Sequence, residues 1–240
     1  MLLFSDPPGR PEIQGLDEGE ILTAGKLKRL TCISMSGNPL AKLTWYVGVR
    51  QVASVYSTVD NYATAELALI PDQVKDFLSS TFLALVSSTL LLLQTENGAH
   101  LRCEATNAAL AGDSGPFVVS RVLNVEFPPS DVNLSIRPSA PKAGQNVTLT
   151  CISGSSRPAS TIEWWYNGTR LEGATEMITE GGANGGFETT STLLYVLKPE
   201  NHGGVVSCRA QNPTAPNEPA HKDIKLSVAR KFCPIYNVNI

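Results

Sequence analysis

Apolar and polar residues alternate with a period of two in short runs along the chain. Leu30-Thr-Cys-Ile, Leu43-Thr-Trp-Tyr, His100-Leu-Arg-Cys-Glu-Ala and Phe117-Val-Val-Ser-Arg-Val-Leu-Asn-Val form one set. Val147-Thr-Leu-Thr-Cys-Ile, Ile162-Glu-Trp-Trp-Tyr, Val205-Val-Ser-Cys-Arg-Ala and Ile224-Lys-Leu-Ser-Val form a second. Alternation at this period predicts half-buried β-strands. Asn167-Gly168 follows one run directly and predicts a tight hairpin turn, because both positions of that turn need positive φ. The alternation also assigns faces. Cys32, Trp45 and Cys103 share an inner face, as do Cys151, Trp164 and Cys208. Leu43, Leu101, Ile162, Tyr166 and Val206 point inward with them, and Trp165 points outward.

The two sets are copies. Cys to Trp is 13 positions in each, from Cys32 to Trp45 and from Cys151 to Trp164, and a second cysteine follows at Cys103 and Cys208. A Cys–Trp–Cys pattern at this spacing predicts an immunoglobulin sandwich. The fold expected is therefore all-β: two tandem immunoglobulin-like β-sandwiches, each with one B–F disulfide. The expected boundaries are a first domain at 8–125, a short linker at 126–129, a second domain at 130–228 and a tail at 229–240 outside the fold. Pro128 and Pro129 make the linker stiff and extended. A disulfide closing a loop of this length stabilises by about 4 kcal/mol on the chain-entropy model. One feature is missing. The tyrosine that usually stands two residues before the second cysteine is Leu101 in one copy and Val206 in the other.

Composition narrows the setting. Paired cysteines predict disulfides and hence an oxidising compartment. The sequons Asn133-Leu-Ser, Asn146-Val-Thr and Asn167-Gly-Thr predict glycosylation and point the same way. Asn167 also has a plain role as a turn residue. Net charge is −3 with interspersed signs, so no nucleic acid or anionic surface is expected as a partner. No CxxC pair suggests zinc, and His100, His202 and His221 lie beside no nucleophile motif. The Gly181–Gly186 stretch lacks the lysine of a phosphate cradle. No catalytic, cofactor-binding or metal-ligating residue is expected, and the chain is not expected to be an enzyme. The Met1–Pro8 start is not a signal peptide, which suggests an incomplete chain.

One segment does not fit the repeat. From Pro199 to Cys208 is 9 positions, but from the matching Pro71 to Cys103 is 32. The excess is an apolar insertion, Val74–Gln94. A membrane span is one explanation, yet it would separate Cys32 from Cys103, and the apolar run is at the lower length limit. A genuine long loop is another, though a structureless apolar loop argues against itself. The preferred explanation is translated intron. Val74-Lys75 can be written as a splice donor and Gln94 as an acceptor, and Leu2–Ser5 and Arg230–Phe232 allow matching readings. Cys233 then has no structural role. The insertion puts closure of the first sandwich in doubt.

The stretch from Asp6 through Glu20, with Gly37-Asn38-Pro39, Leu43-Thr-Trp-Tyr and Asn97-Gly-Ala-His-Leu-Arg-Cys-Glu-Ala, resembles the nephrin, sticks-and-stones and hibris receptor family. The resemblance covers residues 6–73 and 95–228. It implies a membrane-anchored cell-surface glycoprotein, on the extracellular side of the plasma membrane, that acts in cell–cell adhesion. The implied partners are immunoglobulin-superfamily ectodomains, bound homophilically or heterophilically. The competing class is a heterophilic signalling receptor or ligand without an adhesive role. Outward-facing residues of the C–F–G sheet are the expected contacts: Trp165, Glu163 and Arg209 with Val205 and Ser207, and in the first copy Tyr46 and Arg102 with Thr44 and His100. Tryptophan and arginine are enriched at interface anchors. The alternative is that Trp165 packs beneath its own hairpin or beneath glycan.

Overall fold

A computed structural model describes residues 5–23, 26–53, 57–59, 62–71, 89–92, 94–110 and 115–229. The chain divides into two compact units at Phe127 and Pro128.

In the first unit the strands are β1 (Glu12–Gln14), β2 (Ile21–Thr23), β3 (Lys28–Met35), β4 (Lys42–Val47), β5 (Arg50–Ala53), β6 (Ser57–Val59), β7 (Tyr62–Pro71), β8 (Thr89–Leu92), β9 (His100–Thr106), β10 (Phe117–Val122) and β11 (Asn124–Glu126). One sheet runs β1-β3-β7-β6 and the facing one β10-β9-β4-β5. The residues that alternation turns inward, Cys32, Leu43, Trp45, Leu101 and Cys103, lie between them fully buried, and Leu30 and Leu67 join them there. Cys32 and Cys103 are bonded across the sheets, with Cα atoms 6.5 Å apart. Trp45 Nε1 donates to the Ala65 carbonyl oxygen at 3.2 Å, so the buried indole leaves no orphan donor.

The second unit repeats the plan with β12 (Val132–Arg137), β13 (Asn146–Ser153), β14 (Thr161–Tyr166), β15 (Thr169–Leu171), β16 (Thr175–Glu180), β17 (Phe187–Val196), β18 (Val205–Gln211) and β19 (Ala220–Lys225). Its sheets are β12-β13-β17-β16 and β15-β14-β18-β19. Cys151 and Cys208 are bonded, with Cα atoms 6.4 Å apart. Trp164 Nε1 donates to Ser191 Oγ at 2.9 Å. Leu101 and Val206, the residues in place of the corner tyrosine, are fully buried core residues.

Four details depart from the sequence reading. The last strand of the first unit is broken at Leu123. β10 pairs antiparallel with β9, then β11 pairs in parallel with β2. Glu126 therefore belongs to β11, opposite Thr23, and is not linker. Ala229 is not tail: it bridges Lys142, and its N–H donates to the Pro141 carbonyl at 3.0 Å. Residues 230–240, Cys233 among them, lie outside the described residues. Most of the Val74–Gln94 insertion does too, but its end is described. Thr89–Leu92 forms β8, parallel to the last residues of β7, and Gln94 opens a 3₁₀ turn. The described strands of the first sandwich close: the β4–β9 register is complete and Cys32 is bonded to Cys103. No helix among the described residues is long and apolar enough to cross a membrane.

Both units are laced by an asparagine four residues past the second cysteine. Asn107 Nδ2 donates to the carbonyls of Asp6 and Pro39, each at 2.7 Å, and its Oδ1 accepts from Ala109 N at 3.1 Å. Asn212 Nδ2 donates to the Pro158 carbonyl at 2.8 Å, and its Oδ1 accepts from Thr214 N at 2.9 Å and from Thr214 Oγ1 at 2.7 Å. Each ties the turn after the cysteine-bearing strand to the loop before β4 or β14.

Candidate partner-binding face

The outer face of β15-β14-β18-β19 holds the predicted contacts of the second unit together. The β14–β15 hairpin is a two-residue turn, with Asn167 at φ 44° and Gly168 at φ 83°. These are the positive values that Asn-Gly supplies. Asn167 Oδ1 also accepts from Val205 N at 2.8 Å, which locks the turn to β18. That register places Trp165 between Arg170 on β15 and Ser207 on β18, and Glu163 opposite Arg209. The next strand sets His221 beside Arg209 and Asp223 beside Ser207.

Trp165 points outward as alternation requires, but it is half-buried rather than open. The Arg209 guanidinium lies over its ring, 4.8 Å from the centroid. The indole Nε1 is buried and has no acceptor among the described residues. Arg170 crosses the same face and pairs with Glu163 Oε1 and Glu172 Oε1, each at 3.2 Å. Sequence reasoning missed Arg170. The signal was available, since it stands two positions after the turn glycine, on the same face as Trp165.

Tyr46 and Arg102 lie together on the outer face of β10-β9-β4-β5. They are directly opposite in register, and the Arg102 guanidinium sits 5.2 Å from the Tyr46 ring centroid. Arg102 Nη1 is 3.6 Å from Glu104 Oε1. Val118 and Val122 of β10 are 49% and 46% exposed, opposite Glu104 and His100. These valines were not predicted as contacts. Thr44, expected on this face, is instead buried opposite Glu104 and offers little to a partner.

The two faces thus share one device: an arginine from the second-cysteine strand laid over the aromatic that follows the core tryptophan. It is built from different positions. Arg102 precedes its cysteine by one residue, and Arg209 follows its cysteine by one. Aligning the copies would pair Arg209 with Glu104, so the similarity is visible only in space. A guanidinium stacked on a ring is held in one orientation, with N–H groups still directed outward. The chemistry available is recognition of carboxylates, carbonyls and apolar surface. Among the described residues, no group of three or more histidine, cysteine or acidic side chains is placed to hold a metal ion.

Comparison with known proteins matches this architecture. The CD80-like C2-set immunoglobulin domain family matches residues 11–114 and 131–218. Nephrin from Mus musculus is 30% identical over 92% of the chain, and nephrin from Homo sapiens is 32% identical over 83%. The chain spans only 16% and 15% of those proteins. Cell adhesion molecule 2 from Rattus norvegicus is 26% identical over 85% of the chain and 41% of that protein. Among solved structures, Rst D1-D2 superposes with a TM-score of 0.51 at 16% identity, covering 92% of this chain and all of the other. The mouse nectin-like molecule 4 ectodomain superposes with a TM-score of 0.52 at 19% identity, covering 94% and 66%. With C2-set domains matched over both units, the chain belongs to the CD80-like C2-set immunoglobulin domain family, and its sequence is similar to nephrin along most of its length.

Proposed function

We propose that this chain is an extracellular segment of a membrane-anchored receptor that holds cells together by binding immunoglobulin-superfamily ectodomains. It has no enzymatic role. The outer faces bearing Trp165, Arg209, Glu163 and Arg170, and Tyr46 and Arg102, make the contact. The observation that carries the proposal is the arginine laid over an aromatic at the centre of the corresponding face in both units. Desolvated arginine and aromatic side chains supply a large share of binding energy at protein interfaces. The half-exposed Val118 and Val122 add apolar surface in the first unit.

Bead aggregation tests this. Beads carrying the chain should cluster with themselves or with beads carrying a partner immunoglobulin ectodomain. Arg209→Ala with Trp165→Ala, or Arg102→Ala with Tyr46→Ala, should weaken clustering at least tenfold while each variant keeps its folded circular dichroism spectrum. Full clustering by both folded double variants would exclude these faces. Heterophilic binding without any clustering would instead favour a signalling receptor or ligand.

A further inference from the structure

The outer face of the other sheet in the second unit, β12-β13-β17-β16, is chemically unlike the face just described. Its outward residues are mostly hydroxyl-bearing or apolar: Ser135, Thr148, Thr150 and Thr192 lie among four large apolar side chains, and the charged Arg137 and Glu188 stand toward its margins. Ile152 is 39% exposed, Met177 62%, Leu194 74% and Val196 56%. The opposite sheet shows Glu163, Arg170, Arg209, Asp223 and Lys225 to solvent. Leu194 and Val196 are successive outward residues of β17, and Ile152 and Met177 flank Thr190 in one row across the sheet. Exposed apolar groups gathered on one face invite association unless something covers them.

The register supplies the cover. Asn133 on β12 lies opposite Ile152 on β13. The same row continues through Thr190 on β17 to Met177 on β16. Asn146, at the other end of β13, lies opposite Val196, and Leu194 follows in the next outward row, opposite Thr148. Both asparagines are exposed and both head N-x-Ser/Thr sequons. Asn146 and Ile152 are six residues apart along β13, a distance of about 20 Å in an extended strand. The two attachment points therefore bracket the apolar group from opposite ends of one face. N-linked glycan is bulky and solubilising.

We propose that glycans on Asn133 and Asn146 cover this face, masking Ile152, Met177, Leu194 and Val196 and leaving β15-β14-β18-β19 as the docking side of the second unit. The proposal rests on the extracellular placement given above. Asn167 is the internal control. It sits on the β14–β15 turn, outside this face, and its Oδ1 bond to Val205 N leaves Nδ2 for a glycan.

The test uses the whole chain secreted from a glycosylating eukaryotic cell line. Mass spectrometry before and after peptide-N-glycosidase should show glycan at both Asn133 and Asn146. Sedimentation should show the Asn133→Gln/Asn146→Gln variant self-associating at concentrations where wild type does not exceed its own basal state. Thr169→Ala, which removes the third sequon and keeps the Asn167 turn, should match wild type. Adding Leu194→Lys to the double variant should restore wild-type behaviour. If the double variant is not secreted, enzymatic deglycosylation of folded wild type gives the same comparison. An empty Asn133 or Asn146, or a double variant as dispersed as wild type, would overturn the proposal. A protein glycosylated at both sites that fails to cluster beads would overturn the adhesion proposal alone.

Discussion

Asn107 and Asn212 show how much one side chain decides. Asn212 is buried and uses both ends of its amide, so Asn212→Ala strands the Pro158 carbonyl and two groups of Thr214. Leaving a buried group unpaired costs about 1–3 kcal/mol, and these part-buried groups should cost toward the lower end of that. Urea denaturation should register that loss, and a smaller one for Asn107→Ala, whose site is half-exposed. The pair was written twice in the sequence at the same spacing, yet spacing alone does not reveal which carbonyls an amide reaches. Glu20 is a milder case. The hydrogen bond from Lys28, the backbone N–H of Asp17 and the Lys28 charge hold its carboxyl below the ordinary value of 4.5. A depressed pKa adds stability above the unfolded value and loses it as pH falls through the folded one. The stability gap between wild type and Glu20→Gln should therefore shrink as pH drops below 4.5 in acid titrations followed by circular dichroism, and the gap should be small because the pair is solvated.

At the scale of elements, the β14–β15 hairpin sets the register of the whole contact face. Asn167-Gly168 was legible because positive φ at two successive positions has few sequence solutions. Gly168→Ala puts a Cβ at φ 83°, which costs about 1–2 kcal/mol, read as a lower thermal midpoint. The same variant should weaken bead clustering, since Trp165, Arg170 and Arg209 are aligned by this turn. Gly204 is constrained differently: a Cβ there would fall 2.5 Å from Tyr166 Oη, so the ring packs on bare backbone. The break at Leu123 was not legible, because Leu123 and Val125 keep the inward phase of Val119 while the pairing partner changes from β9 to β2. Hydrophobic period reports which face is buried and says nothing about which strand is the neighbour.

For the whole molecule, each sandwich has one disulfide joining distant parts of its chain, 71 positions apart in the first unit and 57 in the second. Replacing Cys151 and Cys208 by alanine should lower the unfolding free energy of the second unit by about 4 kcal/mol, measured by denaturant titration of that unit. The amino-acid sequence by itself determined the all-β class, the two copies, both disulfides and both core tryptophans. Those follow from period-two burial and from a spacing that repeats, which are properties of the chain in one dimension. It also put Trp165 on the outside. Tertiary structure decided the rest. It drew Arg209 and Arg102 over their aromatics from unmatched sequence positions, buried Thr44, and set Asn133 beside Ile152 and Asn146 beside Val196. Each of those pairings depends on which strands lie side by side and in what register, and that is set by packing across the whole sandwich.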